Sequence, residues 1–273
     1  MTDCKSGPRW AQTSVLLGGL VWLGLSLPAA LGPWRIGVIE KLLLLGLLVV
    51  VPLGLWLVAT PDRHGRHALP YRLAVLLQPF GAGLAVCSFL FPPGAVAALL
   101  ASGWLAVTAC MACFGFTRFL PRSAARVEEV CIDAGLIYVM VGGGWFVISR
   151  LGWQPLGFGP VIVTLTAVHF HYAGFAAPLL AGFAGRVLDD SQRLARRMHR
   201  AASTCVIVGV PLVAAGITLS RELEFAATAV LSLGLFLLAA SVLGWVVPTL
   251  RSRPARLLLG LSAGSSCVAM LLA

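Results

Sequence analysis

The chain has 273 residues, 59% hydrophobic and 11% charged, with a formal net charge of +10 and a mean hydropathy of +0.94. A soluble domain carries about 25% charged residues, so this composition defines an integral membrane protein. No polar stretch is long enough to build a separate soluble core, and the positive charge is not a nucleic-acid signal, because it falls between apolar runs.

Breaking the chain at Pro, Gly and Arg clusters gives about nine apolar segments, each approaching the length of a membrane-spanning helix. They cover residues 11–31, 39–60, 73–91, 95–116, 127–148, 161–183, 202–219, 226–250 and 257–273. The runs are continuous rather than alternating, so they are helices and not barrel strands. The expectation is an all-α, polytopic helix bundle forming one transmembrane domain over residues 1–273. The first segment has an apolar core longer than the 7–15 residues of a signal-peptide h-region and is read as a retained span.

Glu40 opens the second segment beside Lys41, which offers it an interfacial partner. In the third, Gln78 precedes Pro79; its amide suits either a substrate or a carbonyl freed by the proline. The fourth carries Trp104 at mid-span, and Cys110 and Cys113 on one helical face. Without a second Cys pair or a nearby His, that spacing is a weak metal or redox signal. The seven cysteines, Cys4 among them, are too scattered for a disulfide framework.

The fifth segment begins with Glu128 and Glu129, natural partners for Arg122 or Arg126, and continues to Asp133 about a turn and a half deeper. Asp133 has no counter-ion nearby in sequence. Tyr138 lies further in, followed by Gly142-Gly143-Gly144, which would permit close helix packing or local unwinding.

The sixth segment holds the most informative feature, His169-Phe170-His171-Tyr172 near the middle of an apolar run. Ionisable groups at that depth are costly and usually face a bundle interior or a functional cavity. On a regular helix the two histidines point about 200° apart, so they cannot both ligate one ion. His169 shares a face with Thr166 and Tyr172; His171 shares the other with Thr164, Gly174 and Pro178. One face then suits a pocket and the other a tie to a neighbouring helix. If consecutive spans pack antiparallel, Asp133, Tyr138 and the histidines surround one cavity. The connection 186–200, RVLDDSQRLARRMHR, reads as a solvated linker or a short helix on anionic headgroups. His64, His67 and His199 are read as solvated.

With the N terminus inside, the basic residues collect on one side of the membrane. Only Arg35, Lys41, Arg150 and Arg221 of the 20 fall on the other. Arg63, Arg66 and Arg122 lie on the inner side with the rest. That asymmetry follows the positive-inside rule. Trp10, Trp34, Trp56, Trp145, Trp153 and Trp245 lie toward span ends, as interfacial anchors do. Trp22 and Trp104 are mid-span and lack that explanation.

The stretch Ala167-Val168-His169-Phe170-His171-Tyr172-Ala173-Gly174-Phe175 resembles a segment of the YndJ-like family of bacterial multi-span membrane proteins. Glu40 at the head of a leucine-rich span is similar too. The resemblance implies a site built on His169, His171 and Glu40 and implies no reaction; the location expected of the chain is the bacterial cytoplasmic membrane.

The leading expectation is an intramembrane enzyme acting on a lipophilic, isoprenoid-like substrate. Asp133 or Glu40 would donate the proton, and His169, His171 and Tyr172 would relay or accept it. Tyr138, Trp104, Phe170 and Gln78 would line the substrate site, with the aromatic rings stabilising developing positive charge. Such an inventory suits protonation, or epoxide opening with cyclisation or isomerisation, and calls for no metal or cofactor. The partners expected are a lipophilic small molecule and the bilayer, with no nucleic acid. The alternatives are a proton-coupled transporter, a metal or haem oxidoreductase using His169 or His171 as an axial ligand, and an accessory protein whose polar centre only bonds helices together.

Overall fold

The computed structural model describes residues 9–27, 36–59, 67–120, 126–189 and 191–272, with side chains in the first helix from Gln12 onward. Cys4, Lys5, Trp34, Arg35, Arg63, His64, Arg66 and Arg122 lie outside the described residues, as does the Trp10 side chain. Every regular element described is helical. The helices are α1 (Arg9–Ser26), α2 (Val38–Leu57), α3 (Leu69–Ser88), α4 (Ala95–Phe119), α5 (Val127–Leu151), α6 (Pro160–Val187), α7 (Arg193–Leu219), α8 (Arg221–Thr249) and α9 (Arg253–Leu272). Among the described residues, the 8 from α2 to α9 are long and apolar enough to cross a membrane. The first contributes a shorter apolar helix, Gln12–Ser26.

Pro52, Pro79, Pro178 and Pro211 do not end their helices, whereas Pro248 lies in the short 3-10 turn that closes α8. Three spans instead widen into a five-residue π turn: Gly46–Val50, Tyr172–Ala176 and Val242–Val246. Each π turn is followed, two residues beyond its end, by a proline: Pro52, Pro178 and Pro248. A proline ring collides with the carbonyl one α-turn back and offers no N–H; a wider turn relieves both problems without breaking the helix. Pro79 and Pro211 are accommodated within helix that stays α throughout.

Two compact units emerge: residues 1–120 with 136–176, and residues 121–135 with 177–273. The first unit contains α1 to α4, the deeper part of α5, and α6 up to its π turn. Helices in lipid gain little from burying apolar surface against each other, so close approach of small residues and hydrogen bonds carry the association. Gly18 of α1 lies so close to the Leu48 carbonyl that no side chain fits there. Trp22 Nε1 donates to Lys41 O at 2.7 Å, and Lys41 Nζ reaches back to Ser26 O at 3.5 Å. Trp22 is therefore an interhelical donor, which explains its mid-span position.

At one end of this unit Arg150 closes the bundle. It is 8% exposed, and its Nη2 donates to Ser88 O at 3.1 Å and Phe91 O at 2.7 Å. Its guanidinium stacks 4.6 Å above the Phe89 ring. The backbone N–H of Gly94 donates to Arg150 O at 2.8 Å. One residue thus adds a charged donor to the last carbonyl of α3 and to the carbonyl of Phe91 in the turn beyond it.

In the second unit, α7 and α8 form a hairpin around Ser220, whose Oγ caps α8 by accepting from Leu223 N at 3.2 Å. Small residues again set the contact, with Gly234 against Ala202, Cys205 and Val206. The core holds Cys131, Ala181, Leu188, Ala195, Leu238 and Val242. The segment read as a linker divides differently from expectation. Arg186 and Val187 end α6, and Arg193 to Arg200 form the first two turns of α7 itself. Nothing between 193 and 202 breaks a helix, so the span simply continues. In the short loop between, Ser191 N–H donates to the Asp189 carboxylate at 2.9 Å, which holds that carboxyl below its ordinary range.

Candidate functional site

The polar centre of the first unit is built where α6 meets α2, α4 and α5. Thr164, Ala167, Phe170, His171 and Gly174 are buried on one side of α6. His169, Thr166 and Tyr172 are half-buried. The two histidines thus divide as the helical periodicity requires.

His171 is fully buried. Its Nδ1 lies 2.7 Å from Ala167 O, and its Nε2 lies 3.0 Å from Trp104 Nε1. A carbonyl oxygen only accepts and an indole N–H only donates. The proton must therefore sit on Nδ1, leaving Nε2 as acceptor, and the ring is neutral with both nitrogens satisfied. The indole and imidazole planes also lie at 27°, with centroids 6.0 Å apart. Trp104, itself fully buried, is on α4 because its N–H has this partner.

Glycines on two neighbours make room for the ring. A side chain on Gly142 of α5 would stand 2.8 Å from His171 Nδ1 and 3.0 Å from Cε1. Gly46, which opens the π turn of α2, packs against the Cβ of His171 and the ring of Tyr172. Gly143 abuts Thr108 of α4, while Gly144 meets nothing. The triple glycine accordingly serves close packing, and α5 stays α-helical throughout.

Tyr172 begins the π turn of α6, and its hydroxyl donates to Leu42 O at 2.9 Å. His169 meets Phe170 edge-on, centroids 5.4 Å apart at 89°. Gly174 brings α6 against the Cβ of Tyr138 on α5 and leaves room for the Phe170 ring one turn earlier in α6. Ser149 and Thr164 add a 2.8 Å hydroxyl bond between α5 and α6, with Thr164 donating in turn to Pro160 O at 3.0 Å. Sequence reasoning missed this pair; its only signal was Thr164 on the face of His171.

Gln78 is 2% exposed, and its Nε2 donates to Leu47 O at 3.4 Å. In the π turn of α2 the bonding runs five residues back, as from Val51 N–H to Gly46 O. The corresponding donor for Leu47 would be Pro52, which has no N–H. Gln78 therefore serves a proline-freed carbonyl on the neighbouring helix rather than one on its own. Its Oε1 is buried without a hydrogen-bond partner.

Glu40 is half-buried in the first turn of α2. It lies against Gly37 and within electrostatic reach of Arg150, while Lys41 turns toward α1. The structure thus brings Trp104, Tyr138, Phe170, His171 and Tyr172 into one neighbourhood, with Gln78 beside α2 and Glu40 at its end. Asp133 belongs to the other unit, where it is 1% exposed and engaged rather than free. His199, read as solvated, is also 1% exposed, on α7. The His67 ring meets that of Tyr71 at a tilt of 37°, centroids 4.8 Å apart.

The donor set fits a metal poorly. Among the described residues no three His, Cys, Asp or Glu side chains gather, and both nitrogens of His171 are already engaged. Cys110 and Cys113 are free thiols, the second of them exposed.

These helices, with a polar centre tied by interhelical bonds, define a polytopic helical membrane protein. Residues 41–273 match the family described as YndJ-like protein, and the chain belongs to that family. It is 31% identical over 204 residues to the uncharacterized membrane protein YndJ of Bacillus subtilis (strain 168). That alignment covers 74% of this chain and 36% of the relative, so the chain spans little more than a third of it. No solved structure matches.

Proposed function

We propose that the first unit carries an intramembrane acid–base site for a lipophilic, isoprenoid-like substrate, an enzyme of the cyclase or isomerase type. The observation that carries this reading is the fixed tautomer of His171 between Ala167 O and Trp104 Nε1. The imidazole is a positioning group: it holds Trp104 and the start of the π turn, while half-buried Tyr172 and His169 remain the groups able to meet a substrate. Indole, phenyl and phenol faces in this neighbourhood suit a substrate that develops positive charge. Glu40 stands as the carboxyl donor of the same reading; Asp133, in the other unit, is no part of this site. A bacterial cytoplasmic-membrane location with the N terminus inside goes with it, supported by the distribution of basic residues.

A second reading, transport of a small molecule, draws on a different observation. The π turns of α2 and α6 touch each other where Gly46 meets His171 and Tyr172. Single π turns inside α-helices occur frequently at functional sites.

The test compares membranes producing the wild type with membranes producing Tyr172→Phe, by untargeted analysis of extracted isoprenoid lipids. A lipid converted by the wild type and spared by the variant is the expected result. Uptake into proteoliposomes with no chemical change would instead establish transport and overturn the enzyme reading.

A further inference from the structure

The second unit contains a cavity of about 770 Å³ lined by Arg126, Arg186, Arg193, Arg196, Arg197 and Arg200, together with Glu128, Glu129, His199 and Gly185. Positive-inside placement explains why this end of the protein is rich in arginine. It does not explain why six guanidinium groups, from α6, α7 and the residue preceding α5, converge on one concavity.

The convergence is built. Arg193, Arg196, Arg197 and Arg200 recur at helical spacing and form one stripe along the first two turns of α7. Arg186 is forked onto Glu129, with Nε to Oε1 at 2.7 Å and Nη2 to Oε2 at 2.9 Å. Arg196 lies 3.9 Å from Glu128 and donates from Nη2 to Leu188 O at 2.7 Å, fixing the end of α6. The two carboxylates are thereby committed to two of the arginines. Among the described residues, Arg126, Arg193, Arg197 and Arg200 form no ion pair, and all four are exposed. At the wall lies His199, with Nε2 at 3.3 Å from Ser203 Oγ and a buried Nδ1 that has no partner. It fits there because position 185 is glycine: a side chain would collide with its ring.

We propose that this cavity binds the phosphate group of an organic molecule. Guanidinium forks match phosphate oxygens in pairs, and four uncommitted forks suit a dianion. The volume is that of a site for a small organic ligand, larger than a bare phosphate ion needs. The phosphate comes from a lipid headgroup or from a soluble ester; the recognition chemistry is the same.

The experiment uses the full chain in phosphatidylcholine nanodiscs, reading the thermal midpoint together with bound lipid by native mass spectrometry. One arm adds phosphatidic acid to the bilayer and the other titrates inorganic pyrophosphate into solution. A saturable rise in midpoint is expected in at least one arm. Phosphatidic acid alone would identify a headgroup site, pyrophosphate alone a soluble one. Arg197→Gln with Arg200→Gln should weaken binding about ten-fold or more. Arg251→Gln with Arg253→Gln, an equal charge loss at exposed positions outside the cavity, should leave it intact. Arg197→Lys with Arg200→Lys keeps the charge but loses the forks and should also bind more weakly. No saturable response in either arm overturns the proposal. So does equal weakening in the control pair, or undiminished binding by the lysine pair.

Discussion

The indole N–H of Trp104 and the Nε2 of His171, 3.0 Å apart on different helices, fix each other. Neither has another use for the atom it contributes. Trp104→Phe would leave a fully buried imidazole nitrogen unsatisfied, at a cost of about 1–3 kcal/mol. Unfolding of the purified protein should show that loss. A double variant with His171→Phe should lose less than the two single changes added together.

Gly142 and Gly144 separate packing from helix propensity. Gly142→Ala places a methyl 2.8 Å from His171 Nδ1 and should destabilise by roughly 1–3 kcal/mol through overpacking. At Gly144 nothing is in the way. Alanine there should be neutral or stabilising by up to about 1 kcal/mol, through helix propensity alone. Thermal midpoints of the two variants measure the contrast, and equal shifts would refute the close contact.

Arg150→Met should cost about 2–4 kcal/mol, because the Ser88 and Phe91 carbonyls lose a charged donor inside a crowded end. Arg150→Lys should recover only part of it, since one ammonium cannot both reach two carbonyls and stack on Phe89. Protease accessibility of the 89–94 connection, beside the thermal midpoint, reports the loss.

Gln78→Leu removes the donor for Leu47 O and should destabilise by about 1 kcal/mol. In a Pro52→Ala background the restored N–H can serve that carbonyl, and the same substitution should then cost less. Additive effects in this pair would show that Gln78 does not substitute for the missing proline donor.

Most of the architecture was readable because a span needs a long apolar run, and the runs are present with their arginines between them. The division of His169 from His171 was readable from helical spacing. Harder to see was what each mid-span polar group bonds to, since that depends on the neighbouring helix. Trp22 and Trp104 signalled it only by being out of place. His199 was taken for a loop residue because RRMHR is polar, yet Ala195, Ala202 and Ser203 beside it in helical register are buried. Arg150 was counted as an interfacial charge, whereas its role comes from carbonyls about 60 positions away in sequence, which no local pattern contains. Gln78 was weighed against its own proline, because Pro52 becomes its neighbour only in the fold.

The π turns before Pro52, Pro178 and Pro248 also change how a helical wheel of this protein must be drawn. A turn that holds an additional residue shifts the angular phase of everything beyond it by about 100°. A wheel run through α2 or α6 from end to end will therefore misassign one half of each span, whereas in α8 only Val247–Thr249 lie beyond the π turn. Lipid-facing and protein-facing positions need to be phased separately on either side of Gly46, Tyr172 and Val242. Pro52 and Pro178 mark where that change of phase falls in α2 and α6.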